Sequence, residues 1–198
     1  MKKIPTLFVR DMETKKVINK VTEGLEWVND KNVMVKATRK YDGTCCMIMN
    51  NLLWKRYDAK KGKIPNSFIP SQEPDQITGH YPGWVWCDYN DPSNKYHYEG
   101  LRHYIKTYSN NNPFINLQSG TYELIGEKIN GNPEKIEGHQ LIEHGVDILY
   151  KVPTDYEGLK KYLYEHPYME GIVFYDTYIN TLNEYMCKIK RRDFDYGE

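Results

Sequence analysis

Five short patterns hold most of the reactive side chains in this sequence: KYDG at 40–43, KRYDAKKGK at 55–63, YELIGEKINGNPE at 122–134, EGIVFY at 170–175 and KIK at 188–190. Each also has a plain structural reading. Asp42-Gly43 suits a tight bend, a glutamate at a strand start is usually solvated, and Lys-x-Lys near a strand end guards an edge. In this order they fit one chemistry, covalent capture of a nucleoside monophosphate on a lysine. A lysine amine attacks only when neutral, so positive charge and a metal close by would have to favour its deprotonation.

The elements that must position these groups can be read from periodicity and turn residues. VMVKAT (33–38) predicts a strand leading to Lys40, and TCCMIM (44–49) and LLWKRYD (52–58) predict two more. Asn50-Asn51 would join them, since asparagine tolerates the positive φ of a tight hairpin. Residues 62–95, rich in Gly and Pro, read mostly as loop. A helix is expected over 97–109, a strand over 121–126 ending in the NGNPE turn, and a strand over 139–151 bent at Gly145. Thr154 with Glu157 three residues on reads as a capping box opening a helix that Pro167 ends. EGIVFY and EYMCKIK (184–190) are the closing strands; alternation sets Tyr185, Cys187 and Ile189 on one face and Met186, Lys188 and Lys190 on the other. No repeat or linker interrupts this pattern, so one α+β domain over 1–198 is expected.

Composition narrows the classes further. The 198 residues can bury a proper core, and 27 basic residues balance 27 acidic ones, so no global field draws the chain to nucleic acid or membrane. Locally the balance breaks: Lys31 to Lys63 holds nine Lys/Arg against Asp42 and Asp58, a basic face suited to an anionic partner. The 18 tyrosines suggest β-rich packing with half-buried surfaces. No run approaches the roughly 18 apolar residues of a membrane span, and the start MKKIPTLFVRD lacks the apolar core of a signal peptide. Cysteines 45, 46, 87 and 187 show no C-x-x-C spacing, which fits reduced thiols in a cytoplasmic protein (host cytoplasm if the chain is viral). His139 and His144 lack a partnered Cys pair, so no zinc site is expected from them.

The order Lys-x-Asp-Gly, Glu-Gly, Lys-x-Lys resembles the covalent nucleotidyltransferases, the superfamily of ATP-dependent ligases and messenger-RNA capping enzymes. Over roughly residues 30–192, and through ELIGEKINGNPE in particular, the chain resembles the RNA-ligase branch of the bacteriophage kind. The resemblance implies an adenylyltransferase domain of antiparallel sheets with flanking helices, an ATP-grasp-like ligase core. It implies ATP as substrate and Mg²⁺ or Mn²⁺ as metal. Lys40 would be the nucleophile that attacks the α-phosphorus and carries AMP. Arg39, Lys188 and Lys190 would supply positive field, and the two strand lysines would hold the α-phosphate. Arg56 would contact nucleotide or incoming 5′-phosphate, Glu123 the ribose hydroxyls, and Glu170 a metal or its hydration shell. The stretch around His144–Ile148 is the expected source of an adenine-stacking residue.

Larger relatives carry a further domain, often an oligonucleotide-binding barrel. The sequence ends eight residues after Lys190, so no C-terminal barrel is expected. Lys55, Lys60, Lys61 and Lys63 would then grip RNA with 5′-phosphate and 3′-hydroxyl ends, or a partner protein would replace the missing domain. Two alternatives stay open. The same lysine chemistry could serve GTP-dependent capping or DNA sealing, and a noncatalytic nucleic-acid-binding module would use the basic hairpin alone.

Overall fold

The computed structural model describes residues 3–60, 63–108, 117–177 and 185–197. In chain order the strands and helices are β1 (Phe8–Arg10), β2 (Val17–Val21), β3 (Val35–Lys40), β4 (Thr44–Met49), β5 (Leu52–Ala59), β6 (Ile69–Pro70), β7 (Tyr81–Trp86), α1 (Lys95–Tyr108), β8 (Gly120–Gly126), β9 (His139–Glu143), β10 (Ile148–Leu149), α2 (Tyr156–Glu165), β11 (Gly171–Asp176) and β12 (Met186–Lys190). Every pairing between these strands is antiparallel. With mostly antiparallel sheet and few helices the chain is α+β, consistent with a nucleotidyltransferase-like domain. No described helix is long and apolar enough to cross a membrane.

The chain divides into two compact units, one of Lys3–Tyr41 with Gly145–Glu198, the other containing Asp42–His144. In the first, a four-stranded sheet runs in the order β10-β3-β11-β12, and the β1–β2 ribbon stands apart as its own pair. One face of β11 and β12 supplies Ile172, Phe174, Cys187 and Ile189 to a core shared with Leu159 and Leu163 of α2 and with Leu7, Phe8 and Phe194. The segment before β1 runs parallel to β12, where Lys188 N donates to Pro5 O and Leu7 N to Lys188 O. Asp155, not Thr154, caps α2: its carboxylate accepts from Gly158 N at 2.8 Å. The shift follows from the register of the first turn, because Asp155 is the residue that keeps extended φ/ψ there.

The second unit is a six-stranded sheet, β6-β7-β5-β4-β8-β9, with α1 against one face. Tyr98, Leu101, Tyr104 and Ile105 recur at helical spacing on α1 and pack on Cys46, Ile48, Tyr122, Leu124 and Leu141 of the sheet. Asn50 and Asn51 take φ of 53° and 59°, closing the β4–β5 hairpin as their chemistry suggests. Residues 62–95 are mostly loop where described, as expected, but they also hold β6 and β7, and β7 pairs with β5 over six residues. Pro82 and Gly83 look like breakers, yet Gly83 is needed where it stands. A Cβ there would lie 2.4 Å from both Ile69 O and the Phe68 ring, so only glycine lets β6 and Phe68 close over the strand. The 139–151 stretch is likewise two strands in two different sheets, β9 and β10, with Gly145 at φ 83° between them.

Candidate active site

Lys40 ends β3, and its neighbours follow from ladder register. Gly171 on β11 stands opposite Lys40 on one side and opposite Lys190 on the other, while Val173 stands opposite Thr38 and Lys188. Residues on one rung share a face, so Lys40, Lys188 and Lys190 all project from the face opposite the Ile172–Ile189 core. Glu170, immediately before Gly171, meets two of them: its Oε2 is paired with Lys40 Nζ and its Oε1 accepts from Lys190 Nζ at 2.5 Å. The side chains of Lys40, Lys190 and Glu170 are only 19%, 16% and 10% exposed, so this triad is largely withdrawn from solvent screening.

Lys188 completes the group. Burial, with Lys190 and Lys40 close by, brings its pKa down to about 8 against the opposing pull of Glu170 and Asp193. Asp193 is buried and organises the edge of the site, accepting from Arg10 Nη2 at 2.7 Å and from Lys190 N at 3.0 Å. Lys188, Lys190, Lys3, Arg10 and Arg192 line a cleft of about 500 Å³ in which Asp193 is the only acidic wall residue among the described ones. A wall with this excess of cations favours a phosphate-bearing ligand.

Arg39 projects elsewhere. Consecutive strand residues face opposite ways, and its guanidinium lies over the rings of Tyr41 and Tyr168 at 4.6 and 5.7 Å. Tyr41, in turn, donates its hydroxyl to Asp147 Oδ2 at 2.8 Å. Asp147 thus fixes the residue next to Lys40, a role no local sequence signal announces.

In the other unit, Asp42 and Gly43 are pinned by the NGNPE turn. Asn130 Nδ2 donates to Asp42 Oδ1 at 3.0 Å and to Gly43 O at 2.9 Å, and Asp42 N donates to Glu134 Oε1 at 2.9 Å. A Cβ on Gly43 would come within 2.3 Å of Leu124 O and 2.8 Å of Glu123 Cγ, so glycine is required for this close approach. Two sequence patterns that looked separate are therefore one assembly.

Glu123 stands opposite Cys45 across the β4–β8 ladder, on the face turned away from α1. Its Oε2 is 2.9 Å from His144 Nε2, and His144 Nδ1 is 3.0 Å from Thr121 Oγ1. Register carried one residue beyond Cys46↔Lys55 places Arg56 on the Glu123 face, with its guanidinium 5.1 Å from the Trp84 ring. Burial lowers the pKa of Arg56, opposed by Cys45 and Asp58. Lys55 takes the other face, where its ammonium donates to the buried Asn94 Oδ1 at 2.6 Å. Lys60 and Lys63 are exposed and pair with one another in an isolated antiparallel bridge; Lys61 lies outside the described residues. The structure therefore gathers Lys40, Glu170, Lys188 and Lys190 in one unit and Glu123, Arg56, Cys45 and His144 in the other. Ile148 lies in β10.

No family model matches the chain. It is 28% identical to the RNA ligase 1 of Rattus norvegicus over 60% of this chain and 55% of that protein. It is 24% identical to the RNA ligase 1 of Danio rerio over 73% of this chain and 66% of that protein. For the RNA ligase 1 of Pongo abelii the identity is 23%, over 77% of this chain and 69% of that protein. The chain spans about half the length of the rat protein it matches. Homology at 23–28% identity to proteins named RNA ligase 1 supports an RNA ligase family for this chain.

Proposed function

We propose that the chain is an ATP-dependent RNA ligase in which Lys40 carries AMP. The observation that carries this reading is the Glu170 carboxylate held between Lys40 and Lys190, with Lys188 on the same sheet face. Glu170 pairs with the Lys40 amine, and an amine held in that pair has to be released before it can attack. Phosphate oxygens arriving at Lys188 and Lys190 would compete for the ammonium that now occupies Glu170 Oε1. Lys40 would then give up its proton to solvent and attack the α-phosphorus; the N–P bond forms as the bond to the leaving pyrophosphate breaks. Lys188 and Lys190 would stabilise charge on the α-phosphate as it develops, a contribution worth about a hundredfold to a thousandfold for a well-placed donor.

In the second step an oxygen of the RNA 5′-phosphate displaces Lys40 from phosphorus and AMP passes to the RNA. In the third, a 3′-hydroxyl attacks the RNA 5′-phosphorus and AMP leaves. Glu123 and Arg56 would receive the ribose and a phosphate, and Arg39 would contribute positive charge from the opposite face of its strand. Magnesium fits this donor set when substrate supplies most of its ligands: Glu170 offers hard carboxylate oxygens, and a single carboxylate plus nucleotide phosphates is a common way to hold that ion. Bound there, it would shield the triphosphate and polarise the α-phosphate oxygen. Manganese takes the same ligand class. Lys60, Lys61 and Lys63 are proposed to hold the RNA strand.

The test is a sealing assay with one RNA bearing a 5′-phosphate and another ending in a 3′-hydroxyl, supplied with ATP or GTP. The reading expects joined RNA and released AMP with ATP alone. Covalent labelling by GTP without joining would replace it with the capping chemistry, and RNA binding without any covalent intermediate would leave only a binding module.

A further inference from the structure

Cys45, Glu123 and His144 come from three neighbouring strands or their ends, and their side chains converge on one face of the six-stranded sheet. Cys45 and Glu123 share a rung of the β4–β8 ladder, and Glu123 shares the next ladder with Ile142. His144 lies two residues past Ile142, and its backbone N–H donates to Thr121 O at 3.0 Å, which keeps it on the same face. A thiol sulfur, a carboxylate oxygen and an imidazole nitrogen consequently lie within 4.8 Å of one another. All three residues are half-buried, so the ligand atoms are partly shielded yet still reached from solvent.

We propose that these residues form a three-ligand site for a zinc-class divalent cation, with the fourth position open. Zinc–ligand bonds of about 2.0–2.3 Å set tetrahedral ligand atoms roughly 3.3–3.8 Å apart. The 2.9 Å between His144 Nε2 and Glu123 Oε2 and the 4.8 Å limit of the cluster bracket that range, so small rotamer changes suffice. A thiolate with an imidazole selects zinc or cobalt over magnesium or calcium. Thr121 supplies the outer shell: its Oγ1 sits 3.0 Å from His144 Nδ1, orienting the ring so that Nε2 is the atom presented to the cation. Thiolate and carboxylate together neutralise a divalent charge. Binding expels the Cys45 thiol proton, and any proton on His144 Nε2, to solvent.

The site stands on geometry and does not depend on the ligase reading. The two meet at Glu123, whose carboxylate cannot serve a ribose and a cation at once. An ion seated here would therefore oppose nucleotide binding.

The test titrates Co²⁺ into the purified full chain and follows absorption. The expected result is saturable binding with a thiolate-to-cobalt charge-transfer band and tetrahedral ligand-field bands, all bleached by Zn²⁺ and untouched by Mg²⁺. Cys45→Ser should abolish the charge-transfer band, and His144→Gln should weaken Co²⁺ binding at least tenfold. Thr121→Val, which leaves all three ligands in place, should weaken it about tenfold to a hundredfold. No thiolate band in the wild-type chain, or a band that survives Cys45→Ser, would overturn the site. None of these readouts requires nucleotide or RNA, so they separate this site from the proposed ligase activity.

Discussion

Lys40 and Lys190 occupy the same rung of one sheet, separated only by Gly171. Glu170, the residue before Gly171, reaches both ammonium groups. A Cβ on Gly171 would lie 2.2 Å from Ile189 O and 2.8 Å from Lys190 Cα, and backbone atoms cannot step aside cheaply. Gly171→Ala should therefore destabilise the fold by about 1–3 kcal/mol and reduce lysyl-AMP formation. Thermal melts and nucleotide labelling read the two effects, and an unchanged melting temperature would contradict the close packing.

Glu170→Gln keeps the volume and removes the charge that both ammonium groups share. Two clustered cations would then face each other without their carboxylate, and the hard oxygen ligand would be gone. Labelling by ATP should fall by about a hundredfold or more, most severely at limiting Mg²⁺. Near-normal labelling under that condition would reduce Glu170 to a structural partner of the lysines.

Lys188 gives the site a pH dependence of defined sign. Its pKa falls from 10.5 to about 8 on folding, chiefly through burial. Below about pH 8 the group is charged in both states and the folded chain bears the full penalty of burying it. Between about 8 and 10.5 the unfolded chain binds more protons, so this group makes stability rise with pH. Affinity for ATP should run the other way, because the ammonium that faces phosphate is lost as pH rises through about 8. Lys188→Arg stays charged throughout, and the fall in affinity should move to higher pH. Equal pH profiles for the two proteins would exclude Lys188 from the phosphate site.

Replacing Lys60, Lys61 and Lys63 together should leave labelling of the protein by ATP largely intact while weakening RNA joining. Lys60 and Lys63 are exposed and belong to one unit, whereas Lys40, Lys190 and Glu170 all belong to the other. The log–log salt slope of single-stranded RNA binding should flatten by about 0.7 for each phosphate that is no longer neutralised. Loss of labelling with an unchanged salt slope would instead assign these lysines to the triphosphate.

Much of the fold is legible where local chemistry decides it. Asn50-Asn51 announces the β4–β5 hairpin, and alternation in EYMCKIK separates the buried Cys187 and Ile189 from the lysines. β7 is hidden because Pro82 and Gly83 mimic a loop, while the reason for Gly83 is a tertiary contact with Phe68. The break between β9 and β10 reads as a bend because one glycine can serve either purpose. Within the site, Lys40, Glu170, Lys188 and Lys190 stand out as motif residues, and the sheet does gather them. Asp147, Asn130, Glu134 and His144 lie in stretches the sequence does single out, but the contacts they make are not legible there, because register between distant strands leaves no mark in a local stretch. Arg39 follows a different logic: adjacent to Lys40 in sequence, it faces the opposite side simply because strands alternate.

The most direct measurement is to incubate the chain with Mg²⁺ and ATP, digest it, and locate the covalent adduct by mass spectrometry. The account predicts AMP linked through nitrogen to Lys40 in the wild-type chain, and no adduct in a folded Lys40→Ala variant. AMP on another lysine, or an adduct that persists in Lys40→Ala, would contradict it.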